Sequence, residues 1–460
     1  MTSKMDISKS YSEIIKEIKK SDIKKVKVAV SDIDGVLRGK YLNKDKFLSI
    51  LEGHMAFCSV IFGWDSSDNC YDNTTYTGWH TGYPDSLVRI DPSTYRRVPW
   101  DNNVPFFLGE FEDNNHKPLE VCPRQLLKKT ISKANSMGFL PLSGMEFEWF
   151  NFKETPKSLN EKGFQNMETL TPGMFGYSII RSSQNQLFFN TLMDEMGEFN
   201  VPIEGLHTET GPGVLEVALL YSTSLEAADR AILFKTGAKE IANRFGIMPT
   251  FMAKWNPNLP GCSGHIHQSL WDLNKENNLF YDETQPYKMS KTFRHYLAGQ
   301  LKCLPDILPF FAPNINSYKR LVEGYWAPTK STWGVDNRTT AFRVLSGSSK
   351  STRIEVRISG SDVNPYLAMS AAIASGLYGI EHKLELDTDP IIGSAYNDTK
   401  CERLPRTLYE AANRMAESKI ANELFGSAFV SHFANTRLWE CKEFQKSVTD
   451  WELKRYFEIT

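Results

Sequence analysis

Two carboxylates two residues apart, Glu146 and Glu148, sit in the run Gly144-Met145-Glu146-Phe147-Glu148-Trp149-Phe150. Aromatic and apolar residues crowd that run, so it reads as a β-strand. Strand side chains alternate between faces, and both glutamates therefore project the same way. Two like charges on one face of a mostly apolar strand are costly unless something positive lies between them. A divalent cation is the simplest such charge. Four other segments could contribute to the same chemistry. Glu209 and Glu216 bracket Thr210-Gly211-Pro212-Gly213, a turn able to bring its flanking carboxylates together, although alone it reads as a polar surface turn. Gly261-Cys262-Ser263-Gly264-His265-Ile266-His267 sets two histidines at strand spacing after small residues. Such a pair suits a metal or a nucleotide phosphate, whereas a single histidine is more often a hydrogen-bonded structural residue. The strand Arg353-Ile354-Glu355-Val356-Arg357 puts Arg353, Glu355 and Arg357 on one face, which in isolation reads as the solvated face of an edge strand. The series Lys319, Arg320, Arg338 and Arg343 offers cations, and the arginines suit bidentate contact with carboxylate or phosphate; surface solvation is the simpler reading of each alone.

These residues need elements to hold them. The pattern predicts a short helix over about Ser10–Lys20, with Ile14, Ile15 and Ile18 on one face, then strands at Val26–Ile33 and Leu37–Tyr41 around a turn at Asp34-Gly35. Residues 62–99 are rich in Gly, Asn, Asp, Ser and Thr and read as loops and short strands. Phe106–Phe111 reads as another strand, and a helix runs from Pro123 to Gly138. Thr223–Phe245 is predicted as a long helix, opened by a capping box of Thr223 and Glu226 and followed by Gly246. Asn364-Pro365 opens a further Ala-rich helix, and Arg353–Ile358 is a strand. The domain boundary falls near residue 115, giving an N-terminal domain over 1–115 and a C-terminal domain over 116–460.

Composition narrows the function classes. The chain has 460 residues, 41% of them hydrophobic and 23% charged, with a formal net charge of −2. That length implies more than one domain. The charge gives no electrostatic case for nucleic acid or an anionic membrane surface. No uncharged apolar stretch is long enough to span a bilayer, and Met1-Thr2-Ser3-Lys4-Met5-Asp6 has no apolar signal core. Seven scattered cysteines without a CxxC pair fit a reducing compartment. The expectation is a soluble, cytoplasmic protein.

Taken in order, the segments read E-x-E, H-x-E-x(6)-E, S-G-H-x-H-x-S-L, N-S-Y-K-R-L, N-R-x-x-x-x-R, R-I-E-x-R and N-P-Y-L. That order resembles glutamine synthetase of the bacterial type I class, over about Val26 to Gly379. The resemblance implies an α+β fold, with a small N-terminal β-grasp domain and a large C-terminal α/β catalytic domain. It implies a homo-oligomer, a dodecamer of two stacked rings, with active sites shared between neighbouring subunits. It implies that Glu148, Glu209 and Glu216 hold one Mg²⁺ or Mn²⁺ and that Glu146, His265 and Glu355 hold a second. Arg320 and Gly261 would bind glutamate, Arg338, Arg343 and Arg357 would surround the transferring phosphate, and His267, Ser269, Arg338 and Arg353 would belong to the ATP site. The implied reaction is ATP-dependent phosphorylation of the γ-carboxylate of glutamate, followed by attack of an amine on the acyl carbon.

The sequence departs from the family at the amine end. The flap that reads G-Y-E-A-P in glutamine synthetase is here Gly324-Tyr325-Trp326-Ala327-Pro328, with Trp326 in place of the glutamate that helps enclose ammonium. The partner aspartate is kept as Asp65, and Val214 replaces the glutamine of G-P-G-Q. Losing an anion and gaining an indole favours an amine larger and more apolar than ammonia, as in γ-glutamylanilide and γ-glutamylisopropylamide synthetases. The alternatives are an authentic glutamine synthetase that uses ammonia and a non-catalytic structural relative; retention of all six metal-ligand positions weighs against the latter. The segment around Tyr396 lacks the proline- and acid-rich sequence expected after an adenylylated tyrosine.

Overall fold

The computed structural model describes residues 11–51 and 53–460. Two compact units are formed, each from segments that are discontinuous in sequence. One takes the described residues up to Phe62 together with Tyr83–Phe251 and Asn364–Ser370. The other takes Gly63–Gly82, Met252–Val363 and Ala371–Thr460.

The first unit contains β1 (Lys25–Ser31), β2 (Leu37–Asn43), β3 (Met55–Cys58), β4 (Asp85–Val98) and β5 (Val104–Glu112), in a sheet of order β2-β1-β5-β4-β3. Only the β1–β5 pairing is parallel. Alternating Val26, Val28 and Val30 are fully buried, and Phe47, Phe62, Phe107 and Phe111 fill the adjoining core. The predicted N-terminal helix is Tyr11–Lys20, and Ser10 lies outside the described residues. The segment read as loops and short strands holds instead the 14-residue β4, whose pairing with β5 shifts register between Asp91 and Arg96. That irregularity accommodates Pro92, which cannot donate to a regular ladder.

The same unit carries a second group of strands: β6 (Leu140–Phe152), β7 (Ile203–Thr208), β8 (Val214–Leu219), β9 (Ser222–Thr223) and β10 (Met248–Thr250). β8 lies antiparallel between β6 and β7, while β9 and β10 pair with β6. Phe147 and Trp149 are fully buried and pack on Phe234 of the helix Ser224–Asn243, with ring centroids 6.3 and 5.5 Å apart. Alternation therefore sends Glu146 and Glu148 to the opposite face of β6. The predicted capping box does not form, because Thr223 makes no side-chain cap bond. Glu226 instead accepts from Arg96 and Arg230, both at 2.8 Å. A buried charge network adds to the unit: Arg124 donates to Asp229 at 3.0 and 2.9 Å and to Glu110 at 2.7 Å, and pairs with Asp91 at 2.8 Å.

The second unit contains β11 (Gly264–Trp271), β12 (Trp333–Val335), β13 (Phe342–Leu345) and β14 (Arg353–Val356). β14 pairs antiparallel with both β11 and β13, and β12 runs parallel to β13. The helices Lys291–Ile307, Leu408–Glu417, Lys419–Phe425 and Ser427–Gln445 pack together in this unit. Phe310 anchors them, with ring centroids 4.5 Å from Phe425 and 5.1 Å from Phe433. Among the described residues no helix is long and apolar enough to cross a membrane.

Candidate active site

The acid-bearing face of β6, β7 and β8 follows directly from strand register. Glu148 sits opposite Glu216 across the β6–β8 pair, and Glu216 sits opposite His207 across β7–β8. Glu146 lies two residues along β6, opposite Ala218. The turn Gly211-Pro212-Gly213 closes β7 onto β8, with the Glu209 amide donating to the Val214 carbonyl at 3.1 Å. Gly213 has φ +73°, and an added Cβ would lie 2.5 Å from the Asn151 carbonyl oxygen, so no other residue fits without a shift. His207 Nε2 lies 3.1 Å from Glu216 Oε1, and Nδ1 lies 4.0 Å from Glu209 Oε2. Burial disfavours the charged imidazole, but the bond to Glu216 and the nearby Glu209 outweigh it and hold the ring's pKa up at about 8. Tyr177 stacks on the ring, with centroids 4.4 Å apart.

Glu148 and Glu216 form a directly opposed pair of like charges, which destabilises a sheet. Glu209 Oε2 is enclosed with no hydrogen-bond partner among the described residues. A hard cation held by three carboxylates would answer both features, so the donor set fits Mg²⁺ or Mn²⁺. His207 opens the H-x-E motif but is not among the site residues expected from the sequence. Its position two residues before Glu209, on the same strand face, is the signal that could have found it.

In the second unit the focus is Glu355, which is 1% exposed. Register places it between His267 on β11 and Arg343 on β13. Arg343 Nη1 donates to Glu355 Oε2 at 2.7 Å, Arg357 Nη1 donates to Oε1, and His265 Nδ1 lies 3.3 Å from Oε1. Burial alone would raise the Glu355 pKa, yet His265, Arg357, His267 and Arg343 together pull it down to about 2. The face is therefore not the solvated one that the strand suggests in isolation, because Glu355 and Arg357 are both buried. Arg343 also donates to Asp336, at 3.0 Å from Nε. Arg357 Nε donates to the carbonyl of Arg338, whose own side chain is exposed. His267 accepts from Arg353 Nε at Nδ1, 3.2 Å away, which leaves Nε2 as the protonated or ligand-binding nitrogen. Ser269 follows on the same face of β11 and accepts from Trp271 Nε1 at 2.9 Å.

Arg320 ends the short helix Ile315–Arg320 and is 3% exposed. It donates to the carbonyls of Ile358 and Arg357 at 2.9 and 3.1 Å and to Ser263 Oγ at 3.1 Å. A Cβ on Gly261 would lie 2.8 Å from Arg320 Cγ, so glycine there makes room for the arginine stem. In the segment 324–328, Gly324 has φ +86° and Trp326 φ +62°, the latter uncommon for a bulky residue. Trp326 is 59% exposed. Lys254 Nζ lies 4.0 Å over the neighbouring Tyr325 ring. Asp65 closes its own loop, accepting from the amides of Ser67 and Asn69, each at 2.8 Å.

These two arrangements, an acid face and a glutamate ringed by arginine and histidine, can be set beside known proteins. The catalytic-domain model of glutamine synthetase matches residues 120–456. The chain belongs to the glutamine synthetase family. Members of this family are ATP-dependent ligases that form carbon–nitrogen bonds and use divalent metals. The chain is 56% identical over 449 residues to type-1 glutamine synthetase 2 of Dictyostelium discoideum, covering 97% of this chain and 86% of that protein. It is 36% identical to a glutamate–isopropylamine ligase of a Pseudomonas species, covering 96% of each. Its fold is similar to the solved structure titled GmaS/ADP complex, with a TM-score of 0.84, 23% identity and coverage of 96% of this chain and 99% of that one.

Proposed function

We propose that this ligase joins an amine larger and more apolar than ammonia to the γ-carboxylate of glutamate through a γ-glutamyl phosphate. Trp326 carries the reading. It holds an exposed indole in the flap where the family's ammonium-enclosing glutamate would stand, and it occupies a backbone conformation that few bulky residues adopt. The likeness to an isopropylamine ligase along nearly the whole chain supports it.

The residue roles in this reading follow from their chemistry. Glu148, Glu209 and Glu216 would hold one Mg²⁺ or Mn²⁺, and Glu146, His265 and Glu355 the second. Such ions neutralise the charge on transferring phosphate. Arg320, already oriented by two carbonyls, would bind the α-carboxylate of glutamate beside Gly261. Arg338, Arg343 and Arg357 would offset the phosphate's charge, with His267, Ser269 and Arg353 toward ATP. Asp65, from a neighbouring subunit, would take the proton that an ammonium substrate must lose before it attacks. The assembly in this reading is a cytoplasmic dodecamer of two stacked rings, built on a domain boundary near residue 115.

The test is a panel of amines, including ammonia, isopropylamine, ethanolamine and aniline, with ATP and glutamate, read by the mass of the γ-glutamyl product. The reading expects a higher kcat/KM with at least one organic amine than with ammonia. A second reading, plain glutamine synthetase, is favoured by the 56% identity to a protein of that name. Ammonia as the best substrate of the panel would establish it and overturn the first.

A further inference from the structure

A cluster in the N-terminal sheet has no part in the ligase chemistry. His54 immediately precedes β3, Glu112 ends β5, and His116 lies in the hairpin that follows. One carboxylate oxygen collects both imidazoles: His54 Nε2 is 2.9 Å from Glu112 Oε2, and His116 Nδ1 is 3.8 Å from the same atom. The two rings lie side by side, with centroids 4.6 Å apart and planes 25° from parallel. Donor atoms of all three residues fall within 4.8 Å of one another.

We propose that His54, Glu112 and His116 form a binding site for a single transition-metal dication of the Zn²⁺, Co²⁺ or Ni²⁺ class. Two imidazoles and one carboxylate are a donor set for those ions rather than for Mg²⁺ or Ca²⁺, which prefer all-oxygen shells. Ligand atoms around tetrahedral zinc lie about 3.4 Å apart, given metal–ligand bonds of about 2.0–2.2 Å. The two imidazole–carboxylate separations of 2.9 and 3.8 Å straddle that value, and all three donors lie within 4.8 Å of one another.

The scaffold is set in advance. Asp113 Oδ1 accepts from the amides of Asn115 and Lys117 at 2.8 and 2.9 Å, and the His116 amide donates to the Asp113 carbonyl at 3.0 Å. Those bonds hold His116 at φ +60°, with its side chain 57% exposed and open to an entering ion. Glu112 itself is 7% exposed and anchored by Arg89, whose Nε donates to Oε1 and whose Nη2 donates to Oε2 at 3.0 Å. An entering ion would take Oε2 and leave Arg89 on Oε1. Arg89 is half exposed, so water screens its repulsion of the ion. The guanidinium nonetheless weakens the site, and removing it should tighten binding.

The experiment is a Co²⁺ titration of the full chain in excess Mg²⁺, followed by visible absorption and by ion count per chain. It is run on wild type, His54→Ala, His116→Ala and Arg89→Gln, with Zn²⁺-dependent thermal stability as a second readout. Wild type should bind one more ion per chain than either histidine variant, or bind it at least about tenfold more tightly. Zn²⁺ should stabilise wild type more than the two variants, and Arg89→Gln should bind at least as tightly as wild type. Turnover of His116→Ala with Mg²⁺ should be unchanged. Equal ion counts and affinities in wild type and both histidine variants would overturn the site and leave the cluster as a hydrogen-bonded tie between two loops.

Discussion

The face formed by β6, β7 and β8 and the face around Glu355 are built from similar residues in opposite states of charge balance. On the first, Glu148 opposes Glu216 in register, and Glu209 adds a carboxylate oxygen with no hydrogen-bond partner among the described residues. On the second, one buried glutamate is met by Arg343, Arg357 and His265. The first face therefore sets three carboxylates against one histidine, His207, whereas the second sets two arginines and a histidine against one carboxylate. The same residue type should thus respond to mutation in opposite ways. Removing an acid from the first face relieves repulsion, and removing Glu355 strands two arginines.

The largest expected effect is at Glu355. Glu355→Gln should abolish turnover and also destabilise the metal-free protein by about 3 kcal/mol or more, as breaking a buried ion pair does. Denaturant unfolding without metal checks this, and wild-type stability would end the claim that Glu355 is pre-neutralised. Arg320→Ala should raise KM for glutamate by well over tenfold, because a lost charge-assisted partner costs about 2–5 kcal/mol. An unchanged KM for glutamate with a raised KM for ATP would move Arg320 out of the glutamate site.

His432 supplies a pH test away from both faces. It is 2% exposed, and burial together with Arg437 holds its pKa down at about 4. The unfolded chain binds the proton first, so stability is full above the ordinary histidine pKa of about 6.5 and falls as pH drops toward 4. The loss attributable to His432 should approach about 3 kcal/mol at the acid end. His432→Phe should flatten that slope, and identical slopes in the two proteins would contradict the assignment. The smallest effect is at Glu148. Glu148→Gln should abolish turnover yet leave metal-free stability within about 1 kcal/mol of wild type, or slightly above it. Strong destabilisation would show that the first face is balanced in some other way.

What the sequence disclosed depended on the range of the interactions involved. The E-x-E strand is legible because alternation is local: Phe147 and Trp149 go to the core, and the glutamates must go the other way. The Gly-Pro-Gly turn is legible for the same reason, and it brings Glu209 and Glu216 to one histidine. The capping box failed because Glu226 is held by Arg96, far away in sequence, and by Arg230. The long β4 was hidden by Pro92 and its polar neighbours, which a register shift absorbs. Burial of Glu355 could not be read from its own strand, since it is set by cross-strand neighbours on β11 and β13.

The choice of amine is read from one ratio: kcat/KM for isopropylamine over that for ammonia, in wild type and in Trp326→Glu. The substitution restores an anion to the flap and removes the indole. A wild-type ratio above one is expected, falling at least about tenfold in the variant, a change of about 1.4 kcal/mol in relative transition-state binding. An unchanged ratio would show that the flap does not select the amine, and a wild-type ratio below one would make ammonia the better substrate.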